Sequence, residues 1–133
     1  MGGKAMSKNQ VLIVDDEETV RYVVKRILEE AGFVVSVAAN GPECLEILRK
    51  GFKGLILMDI IMPGMDGWDT IQAMVDEGLC EGNIVCMLTG KPVPDVKMDH
   101  LKEYVLDYIR KPFDSDKLVQ IVSEYLGYLD MPQ

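Results

Sequence analysis

From Val11 to Arg110 the sequence alternates short, continuous apolar runs with longer stretches whose apolar residues recur at helical spacing, and few folds accommodate that rhythm. The runs are Val11–Val14, Phe33–Ala38, Leu55–Met58, Ile84–Leu88 and a shorter one near Tyr108–Arg110. The middle three are too uniformly apolar to leave one face in water, and strands buried on both faces belong to a parallel sheet between helix layers. Between the first two runs, Val20, Val23, Val24, Ile27, Leu28 and Ala31 form an i, i+3, i+4, i+7 stripe, closed by Gly32 where a left-handed cap is needed. A second helix has Pro42 at its first position and ends at Gly51, and a third, marked by Trp68, Ile71 and Val75, stops near Gly78. Asp114 suits the N-cap of the last helix, with Phe113 and Leu118 placed as a staple around it and Leu118, Ile121, Val122, Tyr125 and Leu126 as its buried face. The fourth helix is short, because "GKPVPDVKMDHLKEYV" carries two prolines, and it starts near Asp95. Five strands alternating with five helices predict an α/β domain, a doubly wound five-stranded parallel sheet with helices on both faces.

A chain of 133 residues suits a single domain, taken here as residues 9–130 behind a loose polar arm at residues 1–8. No apolar run approaches the ~20 residues that span a bilayer, and the N-terminus has no apolar signal region, so a soluble protein without membrane attachment is expected. A net charge of −8 disfavours direct binding to nucleic acid, whose affinity rests on Lys and Arg neutralising phosphates. Cys44, Cys80 and Cys86 are odd in number, lack CxxC spacing and sit in or beside apolar stretches, which reads as reduced thiols in the cytoplasm.

In an open doubly wound sheet, ligands bind beyond the carboxyl ends of the strands. Applied to this chain, that rule selects Asp15 and Asp16 after the first strand, Asp59 after the third, Thr89 after the fourth and Lys111 after the fifth. Taken singly, each has an ordinary explanation: acids at a helix N-terminus, an acid before a Pro/Gly turn, solvated loop residues. Taken together, three carboxylates at one sheet edge form a hard-oxygen site suited to Mg²⁺, which cancels their repulsion. A hydroxyl from Thr89 and the positive charge of Lys111 match what the oxygens of a transferring phosphoryl group need. Asp59 is the best placed nucleophile, and a carboxylate that attacks phosphorus becomes an aspartyl phosphate.

The segments "VLIVDDEE", "LILMDIIMPGMDG", "MLTG" and "YIRKPF" resemble, in order and spacing, the receiver domain of two-component response regulators over nearly all of residues 11–126. The resemblance implies a flavodoxin-like sheet of order 2-1-3-4-5. It implies Asp59 as phosphoacceptor and Asp16 as direct Mg²⁺ ligand. Asp15 would act mainly through a coordinated water, and the backbone carbonyl of Ile61 would complete the ligands. Thr89 and Lys111 would hold the phosphoryl oxygens, and the Lys111-Pro112 bond would be cis. The phosphodonor would be a sensor histidine kinase or a histidine phosphotransfer protein, and the output a downstream protein or an appended domain. Phosphorylation adds about −1.5 to −2 charge. Thr89 would move toward it, and Tyr108 would swing into the space left behind, biasing the face made by the fourth helix, fifth strand and last helix. Such a domain is a signalling switch that catalyses only its own phosphorylation and dephosphorylation.

Three segments depart from the usual receiver pattern. Val105-Leu106 stands where Gly-Ala commonly leads into the fifth strand, so the end of the fourth helix needs another cap. Pro92 and Pro94 stiffen a loop that normally moves with the switch. Ile61 and Lys91 lie where side chains gate the attacking water, and apolar Ile61 cannot orient it, which predicts a long-lived phosphoryl state. Two other readings compete with the switch. A Mg²⁺-dependent phosphohydrolase would want a second Asp at position 61, and a degenerate receiver would act only as a phosphorylation-independent binding module.

Overall fold

A computed structural model of the chain describes residues 9–90 and 99–129. Several readings therefore lie outside the described residues: the arm at residues 1–8, the loop with Lys91, Pro92 and Pro94, the start of a helix near Asp95, and the domain end at residue 130.

Five parallel strands, β1 (Gln10–Val14), β2 (Val34–Ala38), β3 (Leu55–Asp59), β4 (Ile84–Thr89) and β5 (Val105–Arg110), lie in the order β2-β1-β3-β4-β5. Among the described residues the α-helices are α1 (Glu18–Glu30), α2 (Gly41–Arg49), α3 (Gly67–Glu77) and α4 (Ser115–Tyr128). A 3-10 segment, Asp99–Tyr104, precedes β5. One sheet face carries Leu12, Val14, Ile56, Met58 and Met87 under α2, α3 and the 3-10 segment. The other carries Val11, Ile13, Leu55, Leu57, Cys86 and Leu88 under α1 and α4. The doubly wound fold is thus as the sequence pattern predicts, and the strand order is the one that the family resemblance implies. No helix among the described residues is long and apolar enough to cross a membrane.

The helix ends follow local chemistry. Asn40 accepts the Glu43 N–H to open α2, with Pro42 one position later than the sequence suggested. Asp66 and Asp69 form a reciprocal capping box at α3, and Asp114 accepts the Lys117 N–H at α4. Gly32, past the end of α1, has φ +101°, a backbone conformation that L side chains rarely adopt.

Two expectations need correcting. β2 is not buried on both faces: as an edge strand it leaves Val34 and Val37 51% and 40% exposed, so a uniformly apolar run did not mean a central strand. β5 begins at Val105, not near Tyr108, so Val105-Leu106 belongs to the strand. The 3-10 segment feeds it directly, and the register slips between the pairs Val85–Val105 and Cys86–Asp107, leaving Leu106 as the extra residue of a bulge.

Candidate phosphoryl and metal site

The winding of the chain reverses direction on either side of β1, which β2 flanks on one side and β3 on the other. The loops leaving β1 and β3 therefore diverge at their carboxyl ends and open a crevice. Asp15 follows β1, Asp59 ends β3, and one carboxylate oxygen each from Asp15, Asp16 and Asp59 lie within 4.8 Å of one another. Asp15 and Asp59 are buried, whereas Asp16 faces solvent.

Asp15 is held on every side. Its N–H donates to the Ala38 carbonyl at 3.1 Å. Its Oδ1 accepts the Glu17 N–H at 2.9 Å, and its Oδ2 accepts Lys111 Nζ at 2.9 Å. Lys111 follows β5 through a backbone bond from its N–H to the Thr89 carbonyl, 2.8 Å, and its ammonium stands 3.6 Å from Asp59 Oδ1. The Lys111-Pro112 bond is cis. Thr89, buried at the end of β4, lies one residue beyond Leu88, the strand partner of Asp59. The structure thus gathers Asp15, Asp16, Asp59, Thr89 and Lys111 at one sheet edge. Ile61 lies in the loop directly after β3, its side chain 61% exposed and its N–H bonded to the Asp59 carboxylate.

The electrostatics are uneven. Burial, then the charge of Asp15, push the Asp59 carboxyl up to about 6, against the pull of Lys111. Burial works against the Lys111 ammonium, but the hydrogen bond to Asp15 and the charges of Asp59, Asp15 and Glu17 outweigh it, raising its pKa above the usual lysine value. This is an acidic pocket that holds the Lys111 ammonium, and a divalent ion bound by the three acids would relieve the repulsion that raises Asp59.

Around the pocket, Tyr108 is half-buried, its ring 6.4 Å from that of Trp68. Trp68 is buried as a core residue, and its indole N–H finds no acceptor among the described residues. His100, at the surface, pairs with Gln72 at 2.9 Å. Beside Lys111, an open apolar groove of about 470 Å³ is lined by Thr19, Val20, Val23, Val24, Pro112 and Phe113.

Two contributors escaped the sequence reading. Gly67, at the start of α3, donates its N–H to the Ile60 carbonyl at 2.8 Å, and a Cβ there would meet the Asp59 carbonyl oxygen at 2.7 Å. Arg21, on α1, donates from Nη1 to the Asp15 carbonyl at 2.7 Å. The turn "IIMPGMDG" pointed to the first only as a turn glycine; a lone Arg in a helix points to nothing until the fold brings it back over the loop.

Comparison with known proteins agrees with this geometry. The family model described as the response regulator receiver domain matches residues 11–123. Sporulation initiation phosphotransferase F of Bacillus subtilis (strain 168) is 31% identical, the match covering 91% of this chain and 96% of that protein. The DNA-binding transcriptional regulator NtrC of Escherichia coli (strain K12) is 30% identical over 96% of this chain, which spans only 27% of NtrC. Among solved structures, a CheY-like response regulator receiver domain protein from Methanospirillum hungatei JF-1 is 50% identical with a TM-score of 0.88, covering 92% of this chain and 97% of that one. The response regulator TrrA from Thermotoga maritima, solved in complex with Mg(2+)-BeF, is 28% identical with a TM-score of 0.74, covering 89% and 98%. With a family match over most of its length and its acidic pocket at the expected sheet edge, the chain belongs to the response regulator receiver domains of two-component systems.

Proposed function

We propose that the domain, residues 9–130, is a switch that accepts a phosphoryl group on Asp59 from a phosphohistidine of a partner protein, in a Mg²⁺-dependent reaction. The observation that carries this reading is the state of Asp59, a largely buried carboxylate crowded by Asp15 and Asp16 and 3.6 Å from the Lys111 ammonium. Such crowding costs stability, and strongly perturbed acids in a crevice cluster at functional sites.

Asp15, Asp16 and Asp59 would hold Mg²⁺ together with the Ile61 carbonyl; the ion, when bound, supplies positive charge to the carboxylates and to the phosphoryl oxygens. An Asp59 oxygen attacks the phosphorus in line. The P–N bond to the donor imidazole breaks, and its electron pair stays on the nitrogen. Lys111 turns from Asp15 toward one phosphoryl oxygen, and the Thr89 hydroxyl donates to another. Attack of water on phosphorus later releases phosphate and restores the Asp59 carboxylate. Ile61 offers that water no polar group, which favours a long-lived phosphoryl state.

Receiver domains work with histidine kinases or phosphotransfer proteins and with output domains, so the donor proposed here is one of the former. It would seat an apolar surface in the groove between Val23 and Phe113, because Lys111 belongs to both groove and site. The output face comprises the segment before β5, β5 itself and α4, with Tyr104 and Tyr108, and acts on a downstream protein or an appended domain. A cytoplasmic setting is supported by three free thiols. The test is intact-protein mass after incubation with acetyl phosphate and Mg²⁺. One added phosphoryl group is expected, lost in Asp59→Asn and in EDTA. If no adduct forms with acetyl phosphate or with any phosphohistidine donor, the domain is a phosphorylation-independent binding module.

A further inference from the structure

The crevice depends on a loop, residues 15–17, whose two acids are held very differently. Asp15 is buried and bonded through its N–H and both carboxylate oxygens. Asp16 is exposed, and no hydrogen bond to its side chain is found among the described residues, so the direction of its carboxylate is set by the backbone that carries it. The peptide joining the two residues has the Asp15 carbonyl as its acceptor, and that carbonyl takes Arg21 Nη1 at 2.7 Å. Arg21 reaches it from the end of the first turn of α1, itself anchored by the bond from the Arg21 N–H to the Glu17 carbonyl at 3.1 Å. Half-buried Arg21 therefore ties the plane of the Asp15-Asp16 peptide to a helix packed on the sheet through Val24 and Leu28.

We infer that Arg21 is a positioning residue for the metal site: it fixes the Asp15-Asp16 peptide so that the otherwise unsupported Asp16 carboxylate points into the crevice. The inference rests on the Mg²⁺ reading above. It also runs against simple electrostatics. A guanidinium beside the pocket repels a divalent cation, so an Arg21 without a positioning role would weaken Mg²⁺ binding, and its removal would tighten it. Positioning predicts the opposite sign, because groups that orient metal ligands typically carry about 10- to 100-fold of metal affinity.

The experiment is a Mg²⁺ titration followed by backbone amide NMR on wild type, Arg21→Met and Arg21→Lys, with amide exchange measured on the metal-free proteins. Met keeps the apolar stem and removes the donor, whereas Lys keeps a donor and the charge. Arg21→Met is expected to raise the Mg²⁺ Kd about tenfold, with Arg21→Lys between it and wild type. In metal-free Arg21→Met the amides of Asp16 and Glu17 should exchange faster while Leu12 and Ile13 stay protected. An unchanged or lower Kd in Arg21→Met overturns the inference, as does unchanged exchange at Asp16 and Glu17. Arg21→Gln, neutral and polar, replaces Met if the Met variant does not fold. A wild type that binds no Mg²⁺ overturns the metal reading instead, and the exchange measurement then decides alone whether Arg21 holds the loop.

Discussion

The Lys111 ammonium is hydrogen-bonded to Oδ2 of Asp15, at 2.9 Å, and so brings a positive charge into the cluster of acids. It stands farther from Asp59, at 3.6 Å, close enough to lower the Asp59 pKa. Lysine is thus a placeholder charge in the pocket and, on the proposed mechanism, a donor to the phosphoryl group. Lys111→Met should therefore bind Mg²⁺ more tightly than wild type yet accept phosphoryl groups more slowly. The rate loss should be on the scale of about 100-fold, typical for one donor aimed at developing charge. Mg²⁺ titration and the rate of adduct formation, measured on the same preparation, check both signs; a variant slow only because it binds Mg²⁺ weakly would contradict the assignment.

The raised pKa of Asp59 links the site to stability. In the folded chain it lies at about 6 against an ordinary 3.8, so the folded state holds that proton more tightly than the unfolded state. Its favourable contribution is complete below the unfolded value and is lost as pH rises through the folded one. In the absence of Mg²⁺, Asp59→Asn should therefore be the more stable protein at pH 7.5 by about 1–3 kcal/mol. The advantage should shrink as pH falls toward 4. Urea unfolding at the two pH values tests this, and an advantage independent of pH would assign it to packing.

The parts of the fold legible from the residues alone were those where burial leaves one choice. β1 and β3 are buried on both faces, and their unbroken apolar runs, each followed by acids, mark out Asp15, Asp16 and Asp59 in the sequence. β2 is also a mainly apolar run but lies at an edge, because sheet position depends on partners distant in sequence. The start of β5 was hidden by Asp107, a polar residue inside the strand that accepts both the Tyr108 N–H and the Tyr125 hydroxyl. Gly67 and Arg21 are illegible for a related reason: each matters through contact with the backbone at or beside an acid, and backbone contacts leave no pattern of residue types.

Gly67 offers the sharpest steric prediction. A Cβ there would approach the Asp59 carbonyl oxygen at 2.7 Å and Ile60 Cα at 3.0 Å, and backbone atoms cannot swing aside as a side chain can. Gly67→Ala should cost about 1–3 kcal/mol and displace Asp59 enough to slow phosphorylation. Gly127, in α4, is the contrast, because a methyl group added there would meet nothing within 4 Å. Gly127→Ala should gain about 0.5–1 kcal/mol from helix propensity alone. Urea midpoints and adduct rates for the two variants check the opposite signs.

Val23 lies on the apolar stripe of α1, yet it is 42% exposed and lines the groove beside Lys111. If the phosphodonor seats there, Val23→Asp should reduce transfer from a phosphohistidine protein at least about tenfold, the scale of one well-packed interface residue. Acetyl phosphate, which needs no docking surface, should label the variant at the wild-type rate. Equal losses with both donors would place the effect on the site and not on docking.

Tyr108 rests beside Trp68, the chain's single tryptophan, with ring centroids 6.4 Å apart in a tilted arrangement. The proposed switch moves Tyr108 when Thr89 turns toward a phosphoryl group, so the indole has a neighbour whose position depends on phosphorylation. Its emission should therefore change on addition of acetyl phosphate and Mg²⁺ to wild type. In Tyr108→Ala the adduct should still form, because the proposed mechanism gives Tyr108 no part in binding the metal or the phosphoryl group, but the change in emission should be lost. Stability should fall by at least the ~0.5–1.5 kcal/mol of an aromatic pair. Partner affinity should lose its dependence on phosphorylation in the same variant. A Tyr108→Ala protein that keeps both the emission change and phosphorylation-dependent binding would show that the signal leaves Asp59 by another route.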